Sequence, residues 1–353
     1  MSERDGMIPE WAPQEGVMVT WPHDQTDWRD DLPQVDACFA HIAAEVTRRE
    51  TLLAVCRDAA HVEHVRGRVV AAGGDPGRLA CAVAPSNDTW ARDHGPIAVR
   101  RSGTLRLLDF RFNGWGGKYP ADLDDRITRT IHAGGAFADV PLESIDLVLE
   151  GGSLDVDGRG ALLTTASCLL APTRNPGHDR AAMEVALRTH LGVERVLWLE
   201  HGALEGDDTD GHVDTLARFC DGHTILYQAC DDRGDSHFAV LRTMGAELAE
   251  LRDVDGHPYR LVALPWPRPA YDPVTGRRLP ATYANFLIVN GAVLVPAYGD
   301  PADAEARRVL GRCFPGREVV SIDCRPLIRG FGSLHCVTMQ LPAGAVTAPE
   351  HGH

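Results

Sequence analysis

The sequence has 353 residues, of which 44% are hydrophobic, so it carries enough apolar material for a sizeable core. It contains 35 Lys and Arg against 50 Asp and Glu, which gives a formal net charge of −15. That balance argues against a nucleic-acid-binding or anionic-membrane-binding surface and suits a small cationic ligand.

The N-terminal residues 1–10 are polar, without the apolar stretch of a secretory leader, and the longest apolar runs have the length of strands. The nine cysteines are odd in number and show no C-x-x-C spacing. We therefore expect reduced thiols in a cytoplasmic protein, with neither a disulfide framework nor a zinc ribbon.

Hairpin patterns and helical patterns alternate along the chain. Residues 35–48, 181–191 and 301–310 space their apolar side chains as on one face of a helix. In residues 93–110, 150–165, 212–227 and 285–296, two short apolar strands flank a glycine-containing turn, which predicts a β-hairpin. Residues 1–342 are expected to form one α/β domain, and residues 343–353 a disordered tail.

A polar residue stands at the start of each predicted hairpin: Asp93, Glu150, His212 and Asn285. These positions are about sixty residues apart, and one further step reaches Cys336, which opens another apolar strand. Five such units nearly fill the chain. A radial arrangement would bring the five residues to one central site.

Asp214 lies two positions after His212, so in a strand both side chains would face the same central site. The site would then hold one thiol, one imidazole and three carboxylates. Packing alone does not explain this set, because buried charges are costly unless they are paired. A cysteine joined by folding to a sequence-distant histidine is the general pattern of a cysteine nucleophile, which favours Cys336 and His212.

Other interpretations stay open at this level. A buried cysteine is most often an inert small hydrophobe, and Trp90 is more often a core residue than a ligand contact. The acidic segment around His212 also offers metal-ligand types, although it has neither EF-hand spacing nor an H-E-x-x-H motif. The residues of this alternative metal site are Asp207, Asp208, Asp210, His212 and Asp214.

Five ordered motifs between about residue 9 and residue 342 resemble the agmatine deiminase family, which is related to the bacterial peptidylarginine deiminases. The resemblance implies the pentein fold, a five-bladed pseudo-symmetric α/β propeller, as one catalytic domain. The motifs are Gly16-Val-Met-Val-Thr-Trp-Pro, Asn87-Asp-Thr-Trp-Ala-Arg-Asp-His-Gly-Pro, Leu149-Glu-Gly-Gly-Ser, Thr209-Asp-Gly-His-Val-Asp and Gly332-Ser-Leu-His-Cys-Val-Thr.

The same resemblance implies a guanidine hydrolase that needs no cofactor and no metal. Cys336 would be the nucleophile that accepts the amidino group as a covalent S-alkylthiouronium. His212 would act as acid and base, with Glu150 working beside it. Asp93 and Asp214 would hold the planar guanidinium through its N–H groups.

The resemblance also implies a small cationic guanidine as partner, contacted by Trp90. Agmatine would give N-carbamoylputrescine and ammonia, a step of putrescine biosynthesis. Before the nucleophile the chain has Gly332-Ser-Leu, where the family typically has a glycine run with Asn-Ile. Deimination of another guanidine, such as peptidyl-arginine, is therefore the alternative, and assembly as a homo-oligomer is compatible with the sequence.

Overall fold

The computed structural model describes residues 4–347, which adopt an α/β fold. No helix within this range is both long enough and apolar enough to cross a membrane. The 3₁₀ turns are Pro76–Arg78, Gly151–Ser153 and Val213–Thr215. The α-helices are Leu32–Thr47, Ala59–Ala71, Ala91–His94, Gly114–Gly117, Asp124–Ala133, Ala166–Leu169, Arg180–Leu191, Phe238–Glu250, Asp303–Cys313 and Arg325–Ile328.

Five sheets in the described part of the chain share one topology, an antiparallel pair of strands followed by a parallel strand. Strands Ala270–Tyr271 and Arg278–Leu279 form a separate hairpin. The strands of the five sheets are Gly6–Met7, Ile97–Arg101, Thr104–Arg111 and Leu142–Val148; Asp155–Val156, Ala161–Thr165 and Arg195–Leu199; Ala217–Asp221, Thr224–Gln228 and Arg260–Leu264; Leu287–Val289, Ala292–Ala297 and Glu318–Asp323; and Met339–Pro342, Gln14–Thr20, Thr51–Cys56 and Leu79–Val83.

The fifth sheet joins the two ends of the described chain. Strand Met339–Pro342 pairs antiparallel with Gln14–Thr20, which pairs in parallel with Thr51–Cys56. Its strands Gln14–Thr20 and Thr51–Cys56 are almost wholly buried, because helices such as Leu32–Thr47 cover them with an apolar face. The segment that precedes Met339 is thereby anchored in the core, which fixes the position of Cys336.

The predicted hairpins and helices form, with boundaries shifted by a few residues. The prediction that polar residues open the strands is wrong, because tight turns separate most of them from the strands that follow. Asp93 lies in the short helix Ala91–His94, and Glu150 precedes the turn Gly151–Ser153. The strand argument for His212 and Asp214 is also wrong, since Val213–Thr215 is a 3₁₀ turn.

Residues 343–347 are part of the ordered fold, which differs from the predicted tail. Ala345 and Val346 are buried, and Val346 forms a β-bridge with Phe137. The backbone N–H of Ala343 donates to the carbonyl oxygen of Pro13 over 3.0 Å. Apolar burial and backbone hydrogen bonds therefore hold this stretch, while residues 348–353 of the predicted tail lie outside the described residues.

Candidate active site

Short turns from distant parts of the chain meet at one place. The turns at 91–94, 151–153 and 213–215 pack against one another. The segment that carries Cys336 joins them, because the backbone N–H of Arg92 donates to the Cys336 carbonyl oxygen over 3.1 Å. Folding thus places the predicted site residues within reach of one another.

Gly152 allows this close approach. Its backbone N–H donates to Asp93 Oδ1 over 3.1 Å. A Cβ atom at this position would lie 2.5 Å from His212 Nδ1 and 2.9 Å from Asp93 Oδ1, which no ordinary packing permits. The glycine therefore determines the distance between these two side chains.

A cavity of about 300 Å³ opens beside the turns, and Cys336 and Asp93 line it. This volume suits a small ligand. Arg329 also lines the cavity, and its guanidinium pairs with the carboxylates of Asp31 and Asp272. The other walls are mostly aromatic and acidic and include Trp28, Trp90, Trp115, Tyr119, Phe331, Asp27, Asp88 and Asp208.

Cys336 is 5% exposed and contacts Asn285, which stands at the start of one of the predicted hairpins. Asn285 Oδ1 accepts from the backbone N–H of Cys336 over 3.3 Å and lies 3.4 Å from its Sγ. Burial raises the pKa of the Cys336 thiol well above its ordinary value, and the carboxylates of Asp214 and Asp93 raise it further. The unliganded site therefore favours the neutral thiol, and a bound cation would favour the thiolate.

His212 is fully buried between carboxylates. Its Nε2 lies 3.0 Å from Glu150 Oε2, and Arg174 Nε donates to both Glu150 oxygens over 2.9 Å. Burial lowers the pKa of His212, but Asp93, Cys168 and Glu150 outweigh it, so that pKa lies well above its usual value. The arrangement favours an imidazolium that can donate a proton.

Asp93 lines the cavity and also lies next to His212. Its Oδ2 accepts from Trp115 Nε1 over 2.9 Å, and its Oδ1 lies 3.6 Å from His212 Nδ1. Burial raises the pKa of Asp93 to about 6, with Glu150 and Asp214 adding to the effect and His212 opposing it. A cation bound in the cavity would stabilise the ionised form of this carboxyl group.

Asp214 is 0% exposed and lies next to the nucleophile, but it is not among the residues that line the cavity. Its Oδ2 lies 4.0 Å from Cys336 Sγ and 2.7 Å from His335 Nδ1. Burial raises the pKa of Asp214, but His335, His212 and Arg218 reverse the effect, so the pKa is lowered overall. The group is therefore an ionised carboxylate beside the thiol.

Trp90 lines the cavity within a cluster of aromatic rings. Its ring centroid lies 5.5 Å from that of Trp28 and 6.3 Å from that of Trp115. Its Nε1 donates to Asp88 Oδ2 over 2.8 Å. Gly332 packs against the ring so closely that a Cβ atom would lie 2.2 Å from it. Trp90 thus packs in the core and also faces the cavity, and a contact with substrate stays a prediction.

Cys168 is a second thiol near the same histidine. Its Sγ lies 3.6 Å from Glu150 Oε2, and Glu150, Cys168 and His212 form a group whose side-chain atoms could hold a metal ion. Cys168 is 0% exposed and does not line the cavity, and burial together with Glu150 raises the pKa of its thiol. Access to a ligand therefore distinguishes Cys336 from Cys168.

The acidic segment before His212 does not converge on one metal site. Asp207 accepts from the backbone N–H of Gly211 over 2.8 Å, and Asp208 accepts from the Tyr119 hydroxyl over 2.6 Å. Asp210 accepts from Arg174 Nη1 over 2.6 Å and from Lys118 Nζ over 2.8 Å. The segment uses its carboxylates to order the loop, so the alternative ligand set is not assembled.

Several supporting residues could not be identified from the sequence. Arg174, Trp115 and Cys168 carry no motif that marks them before folding. His335 stands next to Cys336 in the last motif, but its contact with Asp214 arises because the segment is a turn rather than a strand. Glu150 ends an apolar run, where a buried carboxylate needs a partner, and Arg174 is that partner.

The Porphyromonas-type peptidyl-arginine deiminase family matches residues 6–342 of the chain. The agmatine deiminase of Pseudomonas aeruginosa (strain LESB58) is 37% identical, and the match covers 96% of this chain and 95% of that protein. Similar solved structures include a Porphyromonas gingivalis protein provisionally described as an arginine deiminase, with 52% identity, a TM-score of 0.91 and coverage of 98% of this chain and 100% of that one.

A cysteine-to-serine variant of the C. jejuni agmatine deiminase with substrate bound is 34% identical, covers 97% of both chains and has a TM-score of 0.89. These matches span nearly the whole molecule, as do the five sequence motifs. The chain belongs to the Porphyromonas-type peptidyl-arginine deiminase family, which the sequence motifs had indicated.

Proposed function

We propose that this protein is an agmatine deiminase, a hydrolase that converts agmatine to N-carbamoylputrescine and ammonia. The observation that carries the proposal is the cavity in which Cys336 and Asp93 meet a wall of acidic and aromatic side chains. Relatives named agmatine deiminase at 37% identity over 96% of the chain support the same substrate.

The two ends of agmatine are both cationic, and the cavity has groups for both. Asp93 on the cavity wall and Asp214, whose Oδ2 is 4.0 Å from Cys336 Sγ, would hold the guanidinium. Asp27, Asp88 and other carboxylates along the wall suit the distant amine, while the guanidinium of Arg329 is already paired. An acidic wall favours agmatine over a substrate that ends in a carboxylate, such as free arginine.

The first half of the reaction transfers the amidino carbon to the enzyme. The Cys336 thiolate attacks the guanidinium carbon, and a carbon–sulfur bond forms to give a neutral tetrahedral adduct. His212 donates its proton to one nitrogen, the carbon–nitrogen bond breaks, and ammonia leaves. The product of this half is an S-alkylthiouronium on Cys336, with His212 now neutral.

The second half is hydrolysis. Neutral His212 takes a proton from water, and the hydroxide adds to the thiouronium carbon. The carbon–sulfur bond then breaks, which restores the Cys336 thiolate and the His212 imidazolium. The carbamoyl product leaves as its hydroxyl proton is released to solvent, where the ammonia from the first half takes up one proton to become ammonium. Glu150 would stabilise the charged form of His212 in both halves.

We also propose the finer features that the resemblance implies. Residues 1–342 would form one catalytic domain, and the five sheets would be the blades of a five-bladed propeller around the site. Trp90 would contact the substrate from the cavity wall. All nine cysteines are free thiols, in keeping with a reducing cytoplasm.

The test is a substrate panel with the purified full chain. Agmatine, free arginine and an arginine-containing peptide are compared by ammonia release and by the colour reaction for ureido products. We expect the highest kcat/KM with agmatine. Ammonia release from the peptide but not from agmatine would replace the proposed substrate, and release from none of the guanidines would refute deimination.

A further inference from the structure

His335 lies between two buried carboxylates. Its Nδ1 is 2.7 Å from Asp214 Oδ2, and its Nε2 is 2.7 Å from Glu10 Oε2. All three residues are at most 7% exposed. An ionised carboxylate can only accept a hydrogen bond, whereas a neutral imidazole has one N–H and one bare nitrogen. Both contacts therefore form together only if each ring nitrogen has a proton to donate.

The surroundings of Glu10 keep it ionised. Arg218 Nη2 donates to Glu10 Oε2 over 2.6 Å, and the backbone N–H of Ile288 donates to Oε1 over 2.6 Å. Burial raises the pKa of Glu10, but Arg218, His335 and Arg92 lower it further than burial raises it. These donors stabilise the ionised form of Glu10, so the proton between Glu10 Oε2 and His335 Nε2 is bonded to the imidazole nitrogen.

Burial and the cations Arg218 and Arg92 lower the pKa of His335 below its ordinary value, although Glu10 and Asp214 raise it in part. This direction alone would favour a neutral ring. The hydrogen-bond geometry decides between these influences, because neither 2.7 Å contact is possible between a carboxylate and a bare ring nitrogen. The cationic imidazole is thus held by two anions on opposite sides.

The consequence for Asp214 is a fixed orientation. Its Oδ2 is committed to His335, whereas its Oδ1 is buried and has no hydrogen-bond partner among the described residues. Asn285 links the backbones of His335 and Asp214. Its Oδ1 accepts from the His335 backbone N–H over 2.9 Å, and its Nδ2 lies 3.3 Å from the Asp214 carbonyl oxygen. An unpartnered buried carboxylate oxygen beside Cys336 is an open acceptor for a cation.

We propose that His335 is a positioning residue, which donates to Glu10 and Asp214 at once and so holds Asp214 Oδ1 open for the guanidinium. This inference rests on the proposed function for the identity of the cation. Glu10, which precedes the first long strand, takes part only through His335. Glu10 accepts from His335 Nε2 and thereby holds the orientation of the imidazole ring.

Two substitutions separate positioning from mere packing. In His335→Asn the side-chain amide nitrogen takes the place of Nδ1 and can still donate to Asp214, whereas in His335→Gln it takes the place of Nε2 and can donate only to Glu10. We expect His335→Gln to lose about 100-fold more kcat/KM with agmatine than His335→Asn. Both substitutions remove the cationic partner of Asp214, and only His335→Gln also removes its hydrogen bond. The acid limb of the kcat/KM profile should therefore move to higher pH in both variants, and further in His335→Gln. Equal losses and unshifted profiles in two folded variants would overturn the proposal.

A direct measurement needs no turnover. The ring nitrogens of His335 can be observed by ¹⁵N NMR in full-length Cys336→Ser protein, with the signals assigned by their loss in the His335→Asn background. Both nitrogens should carry protons near neutral pH, and a bare nitrogen would overturn the proposal. Because this readout is independent of substrate, failure of the wild-type protein to deiminate agmatine would refute the proposed function without deciding the state of His335.

Discussion

Glu150 Oε2 lies 3.0 Å from His212 Nε2 in a contact from which water is excluded, since both side chains are at most 1% exposed. The opposite ring nitrogen, Nδ1, is buried without a hydrogen-bond partner among the described residues and faces Asp93. The imidazole is thus anchored on one side and open on the other. Proton transfer to a leaving nitrogen would use the open side.

Replacing each of the two thiols near His212 with a hydroxyl should have opposite effects on activity. Cys336→Ser should abolish ammonia release, because a serine hydroxyl is far harder to ionise than a thiol at this site. Cys168→Ser should keep most of the activity, because the hydroxyl can still donate to Glu150 and never meets the substrate. Mass spectrometry of acid-quenched wild-type protein should find the amidino adduct on Cys336, and an adduct on Cys168 would reverse the assignment.

Glu150→Gln should shift the alkaline limb of the pH–activity profile to lower pH. The pKa of His212 is raised in the folded protein partly by Glu150, and the reaction starts from the imidazolium. Loss of the carboxylate lowers that pKa, so the imidazolium disappears at a lower pH. A fall in kcat of about 100-fold or more is expected for a weakened acid–base group. An alkaline limb that stays in place would show that it belongs to another group.

The same pair makes a pH-dependent contribution to stability. A histidine whose folded pKa is raised stabilises the protein below its unfolded pKa, and this contribution is lost as the pH rises through the folded value. Wild-type Tm should therefore decrease more than that of Glu150→Gln when the pH is raised above neutrality. Thermal unfolding of both proteins across this range tests the sign, and parallel curves would contradict it.

Asp93 should control the acid limb of substrate binding. Burial raises its pKa to about 6, so the carboxylate that holds the guanidinium is lost as the pH falls through that value. KM for agmatine should rise below about pH 6 in the wild type. Asp93→Asn should raise KM by about 100-fold at neutral pH, the usual effect of losing a charged hydrogen bond, and should flatten this dependence. A KM unchanged by the substitution would remove Asp93 from the binding site.

Gly152→Ala should damage catalysis without unfolding the protein. The added Cβ would lie 2.5 Å from His212 Nδ1, so the imidazole must move from its place beside Asp93. We expect kcat to fall by about 100-fold, as for a catalytic group displaced by a fraction of an ångström to an ångström. Gly67→Ala is the matched control, because it lies in helix Ala59–Ala71 with nothing within 4 Å of an added Cβ.

The control substitution should leave kcat and KM unchanged and stabilise the protein by up to about 1 kcal/mol, since alanine is the better helix former. Circular dichroism and thermal unfolding of both variants separate loss of fold from loss of activity. Full activity in Gly152→Ala would contradict the close packing around the histidine.

The sequence by itself determined the α/β class and the succession of hairpins and helices. It also predicted the candidate site residues Asp93, Glu150, His212, Asp214 and Cys336. Local apolar periodicity and turn chemistry are enough for the elements. The motifs were enough for the family, because five of them occur in order over nearly the whole chain. The sequence does not specify the distances between these side chains.

Only the tertiary structure decided which partner each buried charge has. Arg174 reaches Glu150, and His335 reaches Asp214, because tight turns rather than extended strands carry these residues. The choice between Cys336 and Cys168 likewise depends on which thiol faces the cavity. Burial makes an unpaired charge costly, so pairing is set by three-dimensional proximity and not by spacing along the chain.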